Sequence, residues 1–186
     1  MTDSIQPLLE RLDACSEARE WAGQRTLAEV WTECARGDWL LWLAQRLRID
    51  RSVIVRAAVE CVRPALVYLP AREWPARALE VMLAWCEGKA TIEEVRQAGT
   101  VAARAATESD SGAGAWAAWS VADSAWSVVH EEWAFAWASA AGASYAARMG
   151  NHGAEAAGAS SLLASAETVR RLIPLATIEA AAGAFK

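Results

Sequence analysis

Residues 115–137 read AWAAWSVADSAWSVVHEEWAFAW, and the tryptophan spacing in this segment indicates helix. The tryptophans are Trp116, Trp119, Trp126, Trp133 and Trp137, separated by three, seven, seven and four residues. At about 100° per residue these side chains fall within an arc of roughly 100°, which is one face of an α-helix. Together with the Ala-rich residues that follow, the segment predicts one or two long helices reaching Met149.

Two polar residues, Asp123 and His130, fall in the same arc, and His130 lies one turn from both Trp126 and Trp133. Asp123 and His130 are about 10 Å apart by helical rise, too far for a direct hydrogen bond. Aromatic stripes at this spacing usually pack into a core, which is our main interpretation. In a core, replacing either polar residue removes a buried hydrogen bond and costs about 1–3 kcal/mol. The alternative is a binding pocket formed by Asp123, Trp126, His130 and Trp133, since tryptophan faces attract cations and basic partners.

Helix signals also fill the rest of the chain, and strand signals are nearly absent. Thr26 and Thr91 each precede a glutamate by three residues, which predicts two capping boxes, and Asp50 marks a third helix start. Pro64 is expected to kink the helix after Asp50, and Pro174 to end the last helix. The sequence therefore predicts an all-α, compact multi-helix bundle of about seven to nine helices.

The length of 186 residues favours a single domain spanning residues 1–186. Charge changes near residue 110, because residues 1–110 carry 31 charged side chains and residues 111–186 carry only 10. A subdivision at this point, in the Gly- and Ser-rich residues 109–114, stays open. The low charge predicts that the second part forms central helices or a subunit interface, most simply in a two-fold dimer. The tetrapeptide AREW occurs at residues 18–21 and 71–74, which chance or a duplicated helical pair explains.

Composition and motifs exclude several classes of protein. A net charge of −5 argues against a nucleic-acid partner, which requires clustered Lys and Arg. We expect no membrane span, because the longest uncharged run in the Trp-rich part has only 15 residues and flanking charges. Without a signal peptide or Cys-x-x-Cys spacing, the four cysteines predict a cytoplasmic protein with reduced, buried thiols and no bound metal.

Catalysis finds little support in the sequence. It contains no Gly-rich phosphate loop, no His-Glu-x-x-His and no Gly-x-Ser-x-Gly. The two adjacent glutamate pairs, at residues 93–94 and 131–132, each diverge around a helix and cannot share a metal ion. We therefore expect a protein that is not an enzyme and uses no cofactor.

The most distinctive segment is CARGDWLLWL at residues 34–43. Our main interpretation is structural: Gly37 ends one helix in a left-handed conformation, Asp38 caps the next, and Trp39 packs inward. The functional alternative is that Asp38 and Trp39 lie at an exposed helix start and contact a partner.

This segment also resembles a family of bacterial immunity proteins, the immunity-five-like group, which also occurs in phage genomes. The matching positions are Cys15, Trp21, Trp31, Cys34 and residues 36–43, with Arg77, the Ala-rich second half and residues 170–174 similar too. The resemblance implies a protein that binds and neutralises a toxin, and it brings no catalytic residues. The residues also leave open a small-molecule-binding helical protein or an oligomerising accessory protein of bacterial or phage origin.

Overall fold

The structure, a computed structural model, describes residues 4–69, 74–130, 135–151 and 154–185. These ranges contain eleven α-helices, one 3₁₀-helix at Arg63–Tyr68 and no β-strand. The α-helices are α1 (Gln6–Arg11), α2 (Ser16–Ala22), α3 (Leu27–Glu33), α4 (Gly37–Arg46), α5 (Arg51–Val62), α6 (Trp74–Cys86), α7 (Ile92–Thr107), α8 (Gly112–Val129), α9 (Phe135–Gly150), α10 (Glu155–Leu172) and α11 (Leu175–Ala184). The all-α prediction is confirmed, although the described ranges hold more helices than the seven to nine expected.

Helices α8 and α9 form an antiparallel pair at the centre of the bundle. Their facing sides carry small residues, and a Cβ added to Gly142 of α9 would lie 3.1 Å from the Cβ of Ser120 on α8. The two backbones therefore approach closely. Buried serine hydroxyls in this pair donate hydrogen bonds to carbonyls of their own helix, as Ser120 does to Ala117 at 2.7 Å. Burial thus leaves these polar groups satisfied.

The remaining helices surround this pair. Helix α7 packs along α8, α5 contacts both central helices, and α4 and α10 pack against α9. The surrounding helices, α10 among them, thus bury much of the surface of α8 and α9. This burial within one chain explains the low charge of these helices without requiring a subunit interface.

The core consists of two main clusters of buried apolar side chains, and both cross residue 110. The first cluster joins the N-terminal helices to α9, α10 and α11, with Leu40 and Leu41 packing in the same cluster as Ile178. The second joins α5, α6, α7 and α8, with Met82 and Val121 among its fully buried members. The fall in charge near residue 110 therefore does not coincide with a boundary between core clusters.

Most predicted helix starts are confirmed. Thr26 and Thr91 each accept a hydrogen bond from a backbone N–H three residues on and form complete capping boxes. The Asp50 carboxylate accepts a hydrogen bond from the backbone N–H of Ser52. Pro64 acts as expected on α5, since the α-helix gives way at Arg63 to the 3₁₀-helix.

The expected roles of Gly37 and Asp38 in starting α4 are wrong. Gly37 has no positive φ; it is the buried first residue of α4. A Cβ at this position would lie 2.4 Å from the Cβ of Ser165 on α10 and 2.7 Å from the backbone nitrogen of Ala166. Gly37 is therefore required by the close approach of α4 and α10. Asp38 lies inside the first turn of α4. The N-cap is Arg36, the residue before Gly37, and its side chain forms no capping hydrogen bond.

Two further expectations about the second half need correction. The tryptophan stripe does not lie on one helix, because α8 ends at Val129 and Trp137 belongs to α9. Pro174 does end α10, but it also serves as the N-cap of α11, a helix that we did not expect. The fixed φ of proline is compatible with a helix start, which explains the continuation.

The tetrapeptide AREW marks no common structural position in its two copies. Trp21 lies near the end of α2, whereas Trp74 begins α6. Residues 71–73 of the second copy lie outside the described residues. The described part of this motif therefore gives no support to a duplicated helical pair.

None of the helices described here combines the length and the apolar character needed to cross a membrane.

Candidate functional site

The tryptophans of α8 differ in burial: Trp116 and Trp119 lie on the outer side of that helix, where the core interpretation is wrong, whereas Trp126 packs against the second core cluster. Trp116 and Trp119 are 39% and 38% exposed, and Trp126 is half-buried. The inward sides of α8 carry Ala, Ser and Val instead, because the close helix contacts described above leave no room for an indole ring. Tyr145 of α9, 43% exposed, lies beside them. We call Trp116, Trp119, Trp126 and Tyr145 the aromatic face.

Two separate groups of ring contacts lie on this surface. The rings of Trp116 and Tyr145 stack across the two helices, with centroids 4.8 Å apart. At the other end, the Trp126 ring lies 5.7 Å from that of His130, which lies 5.5 Å from that of Phe135. The rings therefore stand in two groups, with Trp119 between them along α8.

Asp123 lies within the aromatic face without a partner among the described residues. It is half-buried on α8, one turn from both Trp119 and Trp126. Its carboxylate forms no hydrogen bond and no ion pair with any residue in the described ranges. Burial alone raises the pKa of Asp123 to about 6, since no neighbouring charge contributes. The structure therefore contains a lone acidic group on an otherwise aromatic surface.

His130 lies at the end of α8, apart from Asp123. Its backbone N–H donates to the Trp126 carbonyl at 2.9 Å, and its side chain is exposed. It lines a cavity of about 170 Å³ together with Gln45, Arg48 and Arg51. This cavity does not include Asp123 or Trp126. Trp133, the fourth residue of the predicted pocket, lies outside the described residues.

The second pair of predicted site residues, Asp38 and Trp39, is engaged by Arg36. The guanidinium of Arg36 donates to both carboxylate oxygens of Asp38, at 2.9 and 2.7 Å, and Asp38 is only 3% exposed. This hydrogen bonding raises the pKa of Arg36. The same guanidinium lies 4.4 Å above the ring of Trp39, whose edge meets Trp21. Asp38 is therefore held inside the first turn of α4 rather than capping it, and Trp39 packs against the first core cluster.

A cleft of about 320 Å³ lies between Asp38 and the Tyr145 end of the aromatic face. It lies between the start of α4, α9 and α10, and Asp38 and Tyr145 both line it. Its charged groups are paired, since Arg148 forms an ion pair with Glu155 at 2.7 Å and Arg36 is held by Asp38. The cleft thus extends the aromatic face towards α4 without adding a free charge.

The cysteines show no activation for nucleophilic chemistry. All four are free, and Cys34 and Cys61 are buried, whereas Cys15 is exposed, contrary to our expectation of buried thiols. Burial raises the pKa of Cys61 to about 12 and also raises that of Cys34. A thiol with a raised pKa is a poor nucleophile at neutral pH. Within the described ranges, no three His, Cys, Asp or Glu side chains are grouped as metal ligands would be.

Two features were missed by sequence reasoning. Tyr145 was overlooked because it joins the aromatic face from a different helix, and no sequence pattern reveals which helices pair.

The second feature is a set of arginines stacked on tryptophans near the N-terminus. These cation–π pairs are Arg25 on Trp21, Arg36 on Trp39 and Arg46 on Trp42. Their separations of three or four residues are the signal by which they are recognisable.

No protein family, curated protein or solved structure matches this chain.

Proposed function

We propose that this chain is a non-catalytic binding protein of the immunity type, which neutralises a protein toxin by covering part of the toxin's surface. The observation that carries the proposal is the exposed aromatic face on α8 and α9. The sequence resemblance to bacterial immunity proteins supplies the toxin as the class of partner. The proposal places the protein in the cytoplasm, where its four free cysteines would stay reduced.

The physical basis is the composition of this surface. Trp and Tyr are enriched at protein interfaces, because they bury a large apolar area and lose few rotatable bonds on binding. Trp116, Trp119 and Tyr145 each leave more than a third of their surface exposed. Since burying apolar surface yields about 25 cal/mol per Å², a partner that covers these rings gains affinity from them.

The geometry favours a macromolecular partner over a small molecule. Trp116 and Trp126 are separated by ten residues of α8, or about 15 Å along the helix. The rings stand on the outer side of two helices, whereas small molecules are bound in concave sites that enclose most of their surface. A protein surface reaches the whole aromatic face at once. The same observation argues against the small-molecule alternative left open by the sequence.

The proposal is tested by growth rescue. Each open reading frame flanking this gene on the native DNA is expressed in a host cell, alone and together with the chain. We expect one product to stop growth and the wild-type chain to restore it. The double variant Trp119→Gln with Tyr145→Gln should fail to restore growth while keeping its melting temperature, because both side chains are exposed.

Leu163→Gln provides the matched control, since Leu163 is 45% exposed but lies on α10. It should restore growth as the wild type does. Failure of the wild-type chain to neutralise any flanking product, or full rescue by the double variant, contradicts the proposal.

A further inference from the structure

We infer that Asp123 is the anchor for a basic side chain, arginine or lysine, which the protein partner places between Trp119 and Trp126. This inference rests on the proposed function and names the chemistry of the partner. It is carried by a carboxylate without a partner in the described ranges, located inside an aromatic surface that is itself exposed.

The position of Asp123 suits a cationic group. On an α-helix, residues three and four positions apart are neighbours, so Trp119 and Trp126 flank Asp123 along α8. A guanidinium or ammonium group at this point meets the carboxylate and the faces or edges of both indoles. Cation–π attraction and a charge-assisted hydrogen bond then act on the same group.

Within the described ranges, no cation is a partner of this carboxylate. Asp123 is the only charged residue of α8, no basic residue in the described ranges contributes a charge interaction to it, and four arginines of the helices packed beside it are engaged elsewhere. These engagements are Arg96 with Glu93 and Arg104 with Glu108 on α7, Arg148 of α9 with Glu155, and Arg51 of α5 with the carbonyls of Val128 and His130. The complementary charge must therefore come from another molecule.

A second copy of this chain is a poor source of that charge. A two-fold contact through the aromatic face would bring two Asp123 carboxylates together. The basic residue nearest to this face along α9, Arg148, is already paired with Glu155. Like charges at an interface disfavour association, so the geometry favours a different, basic protein.

The pKa of Asp123 agrees with this role. A half-buried carboxylate with a raised pKa lacks the interactions that would stabilise its charge in the free protein. A partner's cation restores those interactions on binding. Polar groups that are left unsatisfied in the free protein are typical of surfaces built for recognition.

The experiment uses a phage-displayed library of random dodecapeptides as the probe. The library is selected on the wild-type protein, and binders are tested for loss of binding to Trp119→Gln, which identifies peptides that use the aromatic face. We expect these peptides to share an Arg or Lys flanked by apolar residues. They should bind Asp123→Asn about ten-fold or more weakly than the wild type, because a charge-assisted hydrogen bond is lost.

Replacing the selected arginine by citrulline, which keeps the shape and removes the charge, gives the matched control on the peptide side. The citrulline peptide should bind the wild-type protein more weakly than the arginine peptide, by a factor similar to that of Asp123→Asn. With Asp123→Asn, exchanging arginine for citrulline should cause little further loss, as expected for two groups that interact with each other. Leu163→Gln should bind the arginine peptide as the wild type does.

The outcomes separate the two proposals. Peptides that depend on Trp119 but lack a basic residue, or that bind Asp123→Asn unchanged, overturn the anchor and leave the aromatic face as the binding site. An absence of any peptide that depends on Trp119 overturns both. Self-association of the chain through this face, lost in Trp119→Gln, also overturns the inference.

Discussion

At the scale of single residues, Asp123 is expected to destabilise the free protein at neutral pH. Its pKa in the folded protein is about 6, above the ordinary value near 3.9 in an unfolded chain. The folded state therefore binds the proton more tightly, so the contribution of Asp123 to stability is most favourable below about pH 4. It falls as pH rises through 6, reaching a penalty on the order of 2 kcal/mol at pH 7.

Asp123→Asn should accordingly raise the melting temperature at pH 7, and the difference from the wild type should shrink between pH 6 and pH 4. This is opposite to the loss of 1–3 kcal/mol that a hydrogen-bonded core aspartate predicts. Thermal unfolding followed by circular dichroism at pH 4, 5, 6 and 7 measures it. Asp110→Asn, at an exposed aspartate, is the control substitution. Lower stability of Asp123→Asn at pH 7 would mean that the carboxylate has an internal partner.

Among the glycines in the described ranges, Gly37 is the one at which an added Cβ would lie closest to backbone atoms. An alanine Cβ would overlap both the Ser165 side chain and the backbone of α10, so a helix rather than a flexible side chain has to move. We expect Gly37→Ala to lower the free energy of unfolding by about 2–3 kcal/mol. Urea denaturation measures this loss. Gly183→Ala on α11 is the control, since nothing lies within 4 Å of its added Cβ, and it should be neutral or stabilising by up to about 1 kcal/mol.

At the scale of helices, α11 is expected to contribute to stability although no local sequence pattern predicted it. Ile178 is fully buried in the first core cluster, and α11 packs against α3. Ile178→Ala should lower the free energy of unfolding by about 2–4 kcal/mol. Glu179→Ala, the exposed neighbour, should change it by less than about 0.5 kcal/mol. Equal effects of the two substitutions in urea denaturation would show that α11 is not docked.

The helices were predictable wherever side chains mark their ends, as at Thr26, Thr91 and Asp50. Which side of α8 is buried was not predictable in this way. Our prediction assumed that the largest apolar side chains face inward. Apolar residues occur around most of α8, and the side that is buried is the one that lets neighbouring helices come closest. Small residues permit the closest contact, so the indoles of Trp116 and Trp119 point outward. The arc that groups Asp123 with Trp126 was correct, but the pairing with Tyr145 depends on helix contacts that no local pattern encodes.

At the scale of the whole molecule, we expect a monomer. The low charge of residues 111–186 suggested a dimer, but the surrounding helices already cover much of α8 and α9. The remaining exposed strip contains the unpaired Asp123. Light scattering at micromolar concentration should give 20.0 kDa. A mass of twice this value, reduced to the monomer by Trp119→Gln, would instead identify the aromatic face as a contact between copies.

The first core cluster combines side chains from α1–α5 with side chains from α9–α11. The early helices therefore need the late ones to bury their apolar surfaces. During synthesis the N-terminal helices leave the ribosome long before their C-terminal partners exist. At 5–20 residues per second, roughly ten seconds separate the synthesis of Cys61 from that of Ala182. Through that interval the apolar surfaces of α3 and α4 lack their final cover. Nascent chains of this protein should therefore be bound by chaperones until translation is nearly complete.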